Sequence, residues 1–523
     1  MPRDVIIGID AGTSVIKALA FDLEGAQLAM SALPNDYASL PDGGVEQDMA
    51  RTWRNTARVM TQLAGEVDGL PGRCAAIAVT GQGDGTWLID DRGEPVAPAW
   101  LWLDFRAAAL VDELRRDGTG SRTYRLTGTG LAACQQGAQL AWLARHRRYV
   151  PAHAATAFHC KDWLYFKLTG VRATDLSEGS LTFGDFRSRA YAPEVLDALG
   201  IPELARLLPP MVDGAREWHP LTAEAAAATG LRPSTPVVLG SIDIACTALG
   251  GGLYHPSREL GCSIVGSTGM HMRLARGVDN VALNQAETGY TLVLPMPDTF
   301  AQLQSNMAAT LNIDWLVDLA VEAACTLGLA TDRKAALPAI DGRILDARPG
   351  AALFHPFIHA AGERGPFVAP NARAQLIGLS REVGFLDLAR AVYEGLAFAA
   401  RDCYAAMDHR PEEVRITGGA ARSQALRRIL SSALGAPVRS CAREEAGAAG
   451  AAMMAAVALG AFPDIASACQ AWVDPLLGDA EPPDPDLARR YDALFPVYQV
   501  AHRSMHPVWN DLARIRRELA HDC

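Results

Sequence analysis

Lysine is scarce in this 523-residue sequence and accounts for four of its 48 cationic side chains. Acidic side chains number 59, which gives a formal net charge of −11. A protein that binds duplex nucleic acid or an anionic membrane surface needs clustered cations to offset phosphate charge, so the acidic balance argues against both classes of partner. We therefore expect small-molecule ligands, and we expect a lysine that falls inside a motif to be informative.

The sequence also lacks paired cysteines and a long apolar run. None of its ten cysteines forms a CxxC pair, so neither a zinc ribbon nor a redox dithiol is indicated. The uncharged run most worth checking as a membrane span, Ala446–Pro463, is mostly Ala and Gly and falls short of the roughly 20 strongly apolar residues that cross a bilayer. We expect a tightly packed helix there. Scattered cysteines and an N-terminal segment without a signal pattern are typical of a cytoplasmic protein.

Short apolar runs alternate with helical patterns along the chain, which favours an α/β fold. Val5–Asp10 and Val15–Phe21 flank a glycine-containing turn and predict a β-hairpin. Asp48 is a predicted N-cap of the helix that follows. The length allows two to four domains, and a second strand-rich run leads us to place one boundary at about residue 248. The predicted domains are therefore 1–248 and 249–523.

The turn of the first hairpin carries groups that a polyphosphate needs. The eight residues from Asp10 to Lys17 include a carboxylate, a glycine, two hydroxyls and a cation. Amides and hydroxyls can donate to phosphate oxygens, a carboxylate can hold the water shell of Mg2+, and an ammonium offsets charge. The segment does not match the GxxxxGK[ST] phosphate loop. An ordinary hairpin with a capped turn is the alternative interpretation.

Asp243 is the candidate general base. It follows the apolar strand pattern Val237–Gly240, and an unpaired carboxylate in such surroundings is costly to bury, so it is more often found at a cleft. The alternative is an N-cap of a helix over Ile244–Leu249. Asp84, in the segment GQGDG, is a second candidate because its carboxylate can accept hydrogen bonds from ligand hydroxyls, although a simple Asx-turn also fits.

Two further glycine-rich turns follow predicted strands. Gly266–Gly269 follows Leu260–Val265, and Gly418–Gly419 follows Val414–Thr417. A strand that ends in glycines before a helix exposes backbone amides to a phosphate. Either turn alone is a weak signal, since glycine-rich turns are common. Together with the hairpin at Asp10, they predict a nucleotide lying between two domains.

In their order along the chain these motifs resemble the FGGY carbohydrate kinases. The resemblance covers essentially the whole chain and includes the segments GIDAGTSVIKALAFD, WLDFR, KDWLYFKLTG, LGSIDIACTALGGG, GSTG, GER, GGAARS and EAGAAGAA. The second signature of the family is matched by AQLIGLSREVGFLDLARAVYE, Ala374–Glu394. The family implies an α/β fold of two actin-like, ribonuclease-H-like domains with a cleft between them. It also implies ATP and Mg2+ as cofactors, and a homodimer is a family-level expectation.

Carried over residue by residue, the resemblance implies a site on both sides of that cleft. Asp243 is implied as the catalytic base. The residues implied to bind the nucleotide and its metal are Asp10 as the metal ligand, Gly12, Thr13, Ser14 and Lys17, with Gly266, Ser267, Thr268 and Gly269 around the transferred phosphoryl group and Gly418, Gly419 and Ala420 beside the adenosine. The residues implied to contact the substrate are Gln82, Asp84, Trp102, Asp104 and Asp243.

Several positions depart from common members of the family and bear on the substrate. Xylulose kinases generally carry Met-His, and glycerol kinases Arg-Glu, where this chain has Gly83-Asp84. Both groups have Asn or Gln at the position of Ile244, and the first signature normally has a lysine at the position of Gln139. The segments GGVEQDMARTW, GQGDGTWLID and HCKDWLYF resemble the bacterial members that phosphorylate erythritol. L-xylulose kinases are a more distant likeness.

The expected function is therefore ATP-dependent phosphorylation of a terminal hydroxyl of a small polyol in carbohydrate catabolism, with erythritol as the leading substrate. L-xylulose, or another pentulose or pentitol, is the alternative substrate. A non-catalytic sugar sensor with the same fold usually carries an N-terminal DNA-binding module, whereas the phosphate hairpin here begins at Val5. A chaperone-type ATPase would need a β-rich tail, which the sequence does not indicate.

Overall fold

The computed structural model describes residues 3–521. Its strands are β1 Val5–Ala11, β2 Val15–Asp22, β3 Gln27–Pro34, β4 Ala38–Ser39, β5 Val45–Gln47, β6 Cys74–Gly81, β7 Trp87–Ile89, β8 Ala99–Trp100, β9 Thr156–Phe158, β10 Thr174–Asp175, β11 Gly184–Asp185, β12 Ala190–Tyr191, β13 Met211–Val212, β14 His219–Pro220, β15 Pro236–Leu239, β16 Leu260–Val265, β17 Gly269–Arg276, β18 Tyr290–Val293, β19 Thr299–Asn306, β20 Leu353–His355, β21 Gln375–Ile377, β22 Glu413–Thr417, β23 Val438–Cys441 and β24 Leu477–Glu481. Its α-helices are α1 Met49–Glu66, α2 Leu70–Arg73, α3 Ala108–Arg116, α4 Thr119–Thr127, α5 Gln136–His146, α6 Tyr149–His153, α7 Cys160–Thr169, α8 Leu176–Phe183, α9 Pro193–Leu199, α10 Ala223–Thr229, α11 Asp243–Gly250, α12 Thr310–Thr326, α13 Arg333–Asp341, α14 Phe385–Ala406, α15 Gln424–Leu434, α16 Ala446–Ala458, α17 Ile465–Trp472, α18 Pro485–Ser504 and α19 His506–His521.

The first half of the chain is built on a six-stranded sheet with the strand order β14-β15-β6-β1-β2-β3. The predicted hairpin is confirmed, since β1 and β2 pair antiparallel with Asp10 opposite Lys17. β6 runs parallel to β1, and β15 runs parallel to β6. The carboxyl ends of these three strands therefore lie at one edge of the sheet. Asp10, Gln82 and Asp243 come at or just after those ends.

The second half repeats this arrangement in a seven-stranded sheet with the order β18-β19-β17-β16-β22-β23-β24. β16 and β17 form an antiparallel hairpin, while β22 runs parallel to β16 and β23 runs parallel to β22. β16 thus corresponds to β1, β22 to β6 and β23 to β15. The predicted α/β fold with two similar halves is confirmed. The boundary predicted at residue 248 falls inside α11 and stays a prediction.

Helices α11 and α16 cross each other between the two sheets, within one continuous apolar core. α11 follows β15 and α16 follows β23, so the two helices are also equivalent. A Cβ on Gly250 would lie 2.1 Å from the carbonyl oxygen of Ala446, and a Cβ on Gly450 would lie 1.9 Å from that of Cys246. Neither position can carry a side chain, because the backbone of the other helix occupies the space that a Cβ would need. α16 confirms the packed helix predicted within Ala446–Pro463.

Further helices cover the outer faces of the sheets. α1, α7 and α10 pack on the first sheet, and α12, α14 and α15 pack on the second. The carboxylate of Asp48 accepts the backbone N–H of Arg51 and caps α1, as predicted. Within residues 3–521, no helix is long and apolar enough to cross a membrane.

Candidate active site

A cavity of about 140 Å³ lies where the carboxyl ends of the two sheets face each other. The residues that line it come from both halves and are Thr13, Gly83, Asp84, Trp102, Ile242, Asp243, Ile244, Met270, Tyr290, Leu303, Ser305 and Arg364. Three of the predicted substrate residues, Asp84, Trp102 and Asp243, therefore meet around one space. Its size suits a small molecule, since a site for one water molecule needs only about 10–15 Å³ on the same measure.

Asp243 is the first residue of α11, and its Oδ1 accepts a hydrogen bond of 2.7 Å from the backbone N–H of Ile244. The N-cap position is occupied by Ile242, so the alternative interpretation of Asp243 as the cap is wrong. Burial raises the pKa of Asp243 well above its usual range, and the nearby charge of Asp10 adds to the effect. A carboxylate in such surroundings has an increased affinity for a proton, as a general base needs.

Asp84 lies on the turn after β6 with a φ of 54°, in the left-handed region that residues with a side chain rarely adopt. Its Oδ2 accepts a hydrogen bond of 3.0 Å from the hydroxyl of Tyr290 and a longer one of 3.4 Å from Sγ of Cys134. Its Oδ1 is buried and has no hydrogen-bond partner within residues 3–521. Burial raises the pKa of this carboxyl. The unpartnered oxygen is suited to accept a ligand hydroxyl.

Trp102 is held on the cavity wall by a chain of polar side chains. Its indole Nε1 donates to Oγ1 of Thr13 at 2.8 Å, and that hydroxyl donates to Oε1 of Gln82 at 3.0 Å. The amide of Gln82 then donates to Oε1 of Gln47 at 2.9 Å. Gln82 does not line the cavity, so the structure places it behind the wall, and its predicted contact with the substrate stays a prediction.

Asp104 lies outside the cavity and is fully buried. Its carboxylate pairs with the guanidinium of Arg106 at 2.6 Å and accepts the backbone N–H of Val45. Arg106 in turn pairs with Glu46 and stacks on the ring of Trp100. This position favours a structural function in holding the loop that carries Trp102. The predicted contact between Asp104 and substrate stays a prediction.

The hairpin turn after β1 places Asp10 beside an ion pair that the sequence did not indicate. Nζ of Lys17 lies 2.8 and 2.7 Å from the two carboxylate oxygens of Glu445, the residue that precedes α16. Burial raises the pKa of Asp10 to about 6, while Lys17 lowers it and Glu445 raises it. Glu445 is 428 residues from Lys17. The sequence therefore marked Glu445 only as part of the segment EAGAAGAA and gave no sign that it pairs with Lys17.

The corresponding turn of the second sheet, Gly266–Gly269, is tied to the start of α12. Its first two carbonyl groups accept the backbone N–H groups of Thr310 at 2.9 Å and Ala309 at 2.7 Å. These hydrogen bonds use carbonyl oxygens, whereas the amide of Gly266 donates to the carbonyl oxygen of Thr268 at 3.0 Å within the turn. The space beside Gly266 is open, so a ligand can approach the backbone.

The glycines after β22 lie next to this turn. Gly418 has a φ of 90°, and a Cβ there would lie 2.7 Å from the carbonyl oxygen of Val265. Gly419 and Ala420 continue into a short 3-10 turn, and the space beside Gly419 is open. The structure therefore brings the predicted phosphate and adenosine residues to one edge of the second sheet. Their contacts with a nucleotide stay predictions.

The second half also contributes a wall of the cavity that sequence reasoning missed. Arg364 donates from Nε and Nη2 to Oγ of Ser305 at 2.9 and 2.6 Å. Tyr290 completes this wall and contacts Asp84. No local motif marks Tyr290 or Ser305, whereas Arg364 belongs to the quoted GER segment.

A buried cluster of charged side chains lies behind the cavity. Lys161, which is fully buried, pairs with Asp162 at 2.6 Å and with Asp175 at 2.8 Å. His159 lies 3.2 Å from Asp162 and 2.8 Å from Glu178. Burial opposes a charge on His159, but the carboxylates of Glu178 and Asp162 raise its pKa to about 10. The cluster therefore pairs two cationic groups with three carboxyl groups behind the cavity.

Comparison with known proteins decides the family. The model of the N-terminal domain of the FGGY family of carbohydrate kinases matches residues 5–250, and the model of its C-terminal domain matches residues 262–459. The chain belongs to the FGGY family of carbohydrate kinases. It is thus a phosphotransferase, and kinase activity implies ATP as the phosphoryl donor and a carbohydrate or polyol as the acceptor.

Full-length relatives agree with this membership. The chain is 52% identical over 510 residues to an erythritol kinase of Brucella abortus (strain 2308), with 98% of each chain covered. It is 28% identical over 469 residues to an L-xylulose/3-keto-L-gulonate kinase of Escherichia coli (strain K12), covering 88% of this chain and 90% of the relative. The crystal structure of a xylulose kinase from Rhodospirillum rubrum superposes with a TM-score of 0.85 at 27% identity, covering 97% of this chain and 100% of that one. The predicted kinase fold is confirmed.

Proposed function

We propose that this kinase phosphorylates a terminal hydroxyl of erythritol, with ATP as the donor. The observation that carries the proposal is the small cavity in which the carboxyl groups of Asp243 and Asp84 face the same space. The 52% identity to the Brucella erythritol kinase supports the choice of substrate. An open tetritol presents hydroxyls and no ring face, which suits a site built from hydrogen-bond acceptors.

In the proposed reaction, Asp243 takes the proton of a terminal primary hydroxyl while its oxygen attacks the γ-phosphorus of ATP. A bond forms between that oxygen and the γ-phosphorus, the bond to the β,γ-bridging oxygen breaks, and ADP leaves. General-base catalysis contributes about 10²–10⁴-fold in enzymes of this kind. Positioning and electrostatic stabilisation by the two sheets would supply the rest.

The nucleotide would lie along the second sheet, with its phosphates towards the first. The open backbone at Gly266 and Gly419 supports this placement, because glycine turns let phosphate oxygens approach backbone amides. Lys17 would meet the phosphates from the opposite side once a nucleotide competes with Glu445 for its ammonium group.

The residues present fit a magnesium ion that arrives with the nucleotide. Within residues 3–521, no group of three or more His, Cys, Asp or Glu side chains could hold a metal by itself. Mg2+ usually takes one or two carboxylates and completes its shell with water and phosphate oxygens. Asp10 would hold it. Lys17 is paired with Glu445 and therefore offsets the negative charge of the Asp10 carboxylate only in part. When bound, the ion would neutralise phosphate charge.

The proposal is tested by ADP release from the purified protein with tetritols, pentitols and ketopentoses. We expect erythritol to give the highest kcat/KM. A higher value for L-xylulose would replace the substrate and leave the reaction unchanged. Tight binding of a polyol without turnover would instead favour a sugar sensor. The homodimer and the cytoplasmic location also stay predictions.

A further inference from the structure

One hydrogen bond in the cavity joins the two halves of the chain. Asp84 follows β6 of the first sheet, whereas Tyr290 is the first residue of β18 at the edge of the second sheet. The Tyr290 hydroxyl donates to Oδ2 of Asp84 at 3.0 Å across 206 residues of sequence. Both side chains line the cavity. The orientation of Asp84 thus depends on a group from the other side of the cleft.

Asp84 needs this support because its own turn provides little. Its backbone is in the left-handed region, and within residues 3–521 its Oδ1 is buried without a donor. A carboxylate oxygen buried in this way is unfavourable until a donor arrives. The thiol of Cys134, 3.4 Å from Oδ2, is only a weak donor. Tyr290 is the stronger of the two donors to Oδ2.

Arg364 does not replace Tyr290 in this function. It lines the same wall, and its charge lowers the pKa of Asp84, but its Nε and Nη2 both donate to Ser305. Burial raises the pKa of the Tyr290 hydroxyl well above its usual range, and the charge of Asp84 adds to the effect. The phenol therefore stays protonated and keeps its proton for Asp84.

Building on the proposed function, we propose that Tyr290 is a positioning residue for polyol recognition. By holding Oδ2 of Asp84 across the cleft, it fixes the direction of Oδ1, which accepts a hydroxyl of the polyol. The specificity of the first half for a neutral polyhydroxyl substrate is thus completed by the second half. Recognition of the polyol then requires the two halves to be in contact at this point.

The test replaces Tyr290 by phenylalanine, which removes the hydroxyl and keeps the ring. We expect Tyr290→Phe to raise the KM for erythritol about tenfold, because a hydrogen bond to a charged group is lost, and to change kcat less than twofold. The KM for ATP should not change. Tyr491→Phe is the matched control, since its buried hydroxyl donates to the buried carboxylate of Glu394 at 2.7 Å outside the cavity. It should leave the KM for erythritol unchanged.

A double-mutant cycle shows whether Tyr290 acts through Asp84. In an Asp84→Ala background, Tyr290→Phe should change the KM for erythritol less than twofold further. An equal effect of Tyr290→Phe in both backgrounds, or a KM within twofold of wild type in the single variant, would overturn the inference and leave the proposed function standing. If the wild-type enzyme phosphorylates no polyol in the panel, the proposed function fails and the inference fails with it.

Discussion

The two sheets place corresponding turns on opposite sides of the cleft and give them opposite chemistry. Near the turn of the β1–β2 hairpin Asp10 lies opposite Lys17, whereas the equivalent pair of the β16–β17 hairpin is Ile264 and Met270, which carry no charge. The next strand pair differs in the same way, since β6 leads to Asp84 and β22 leads to Gly418–Gly419. The first sheet therefore supplies carboxylates, and the second supplies accessible backbone.

The difference teaches that strand order sets where a ligand lies, while the side chains at the strand ends set which part of it is recognised. Carboxylates suit the acceptor side, because they accept hydroxyl hydrogens and one of them can take a proton. Next to the phosphates of ATP a carboxylate repels like charge unless a cation lies between them, as Mg2+ would at Asp10, and backbone amides avoid that repulsion. One topology thus serves two chemistries.

The largest expected effect is at Asp243, the proposed base. We expect Asp243→Asn to lower kcat about 10²–10⁴-fold, because the amide keeps the size of the side chain but cannot take the proton. Coupled ADP release at saturating ATP and erythritol measures the loss. Asp332→Asn is the control, since Asp332 caps α13 away from the cavity and asparagine caps equally well. A variant that retains more than a tenth of wild-type kcat would show that Asp243 is not the base.

Asp104 tests which acids of the first half serve the site and which serve stability, because it lies outside the cavity that other acids line. Asp104→Asn should lower the free energy of unfolding by about 1.5–3 kcal/mol, since it removes the nearest carboxylate of the buried Arg106, which keeps only Glu46 at 2.9 Å as a close ionic partner. Urea unfolding measures this loss. Asp42→Asn, at a half-exposed residue 4.0 Å from the same guanidinium, should cost little. Unchanged stability with a tenfold higher KM for erythritol would instead make Asp104 a substrate residue.

Asp10 tests whether the acidic turn is maintained for function at the expense of stability. A pKa raised to about 6 means that the folded protein binds this proton more tightly than the unfolded chain, so the ionised carboxylate opposes folding. Asp10→Asn should therefore raise the free energy of unfolding at pH 8 by up to about 3 kcal/mol. The gain should shrink as the pH falls through 6 and vanish below about 4.

Denaturant unfolding of nucleotide-free protein across this pH range measures the effect. The exposed Asp36→Asn is the control and should show no such pH-dependent gain. Activity of Asp10→Asn should fall sharply at every pH. Equal stability of wild type and Asp10→Asn at pH 8 would contradict the raised pKa.

Glu445 gives the smallest expected effect. Glu445→Gln removes the ion pair with Lys17 and should lower the KM for ATP by up to about fivefold, because partly exposed pairs contribute at most about 1 kcal/mol. The adjacent Glu444→Gln, whose side chain is exposed and pairs with Arg422, should leave this KM unchanged. A higher KM for ATP in Glu445→Gln would mean that Glu445 itself helps to bind the nucleotide and its metal.

Local patterns were sufficient to predict the elements that present the site. The hairpin at Asp10, the cap of α1 at Asp48 and the packed helix α16 all follow from the composition of short segments. Asp243 and Asp84 were found because an acid next to apolar or glycine-rich residues is unusual in any short window. The family resemblance added their order and their implied functions.

The partners of these residues could not be predicted, because they come from distant parts of the chain. Tyr290 begins an ordinary apolar strand, and nothing near it in sequence indicates a contact with Asp84. The pairing of Lys17 with Glu445 likewise depends on how α16 is placed against the first hairpin. Asp104 shows the opposite case, in which an acid within a family motif is committed to a neighbouring arginine.

The reciprocal glycines where α11 crosses α16 constrain how the two halves can change over evolutionary time. A methyl group at Gly250 or Gly450 would clash with the backbone of the helix that it faces. Because the clash is with backbone atoms, no change of another side chain can relieve it. Substitution at the rim is free of this limit, as the different chemistry of the two turns shows. The two halves could thus acquire separate ligands while the crossing of α11 and α16 stayed fixed by two absent methyl groups.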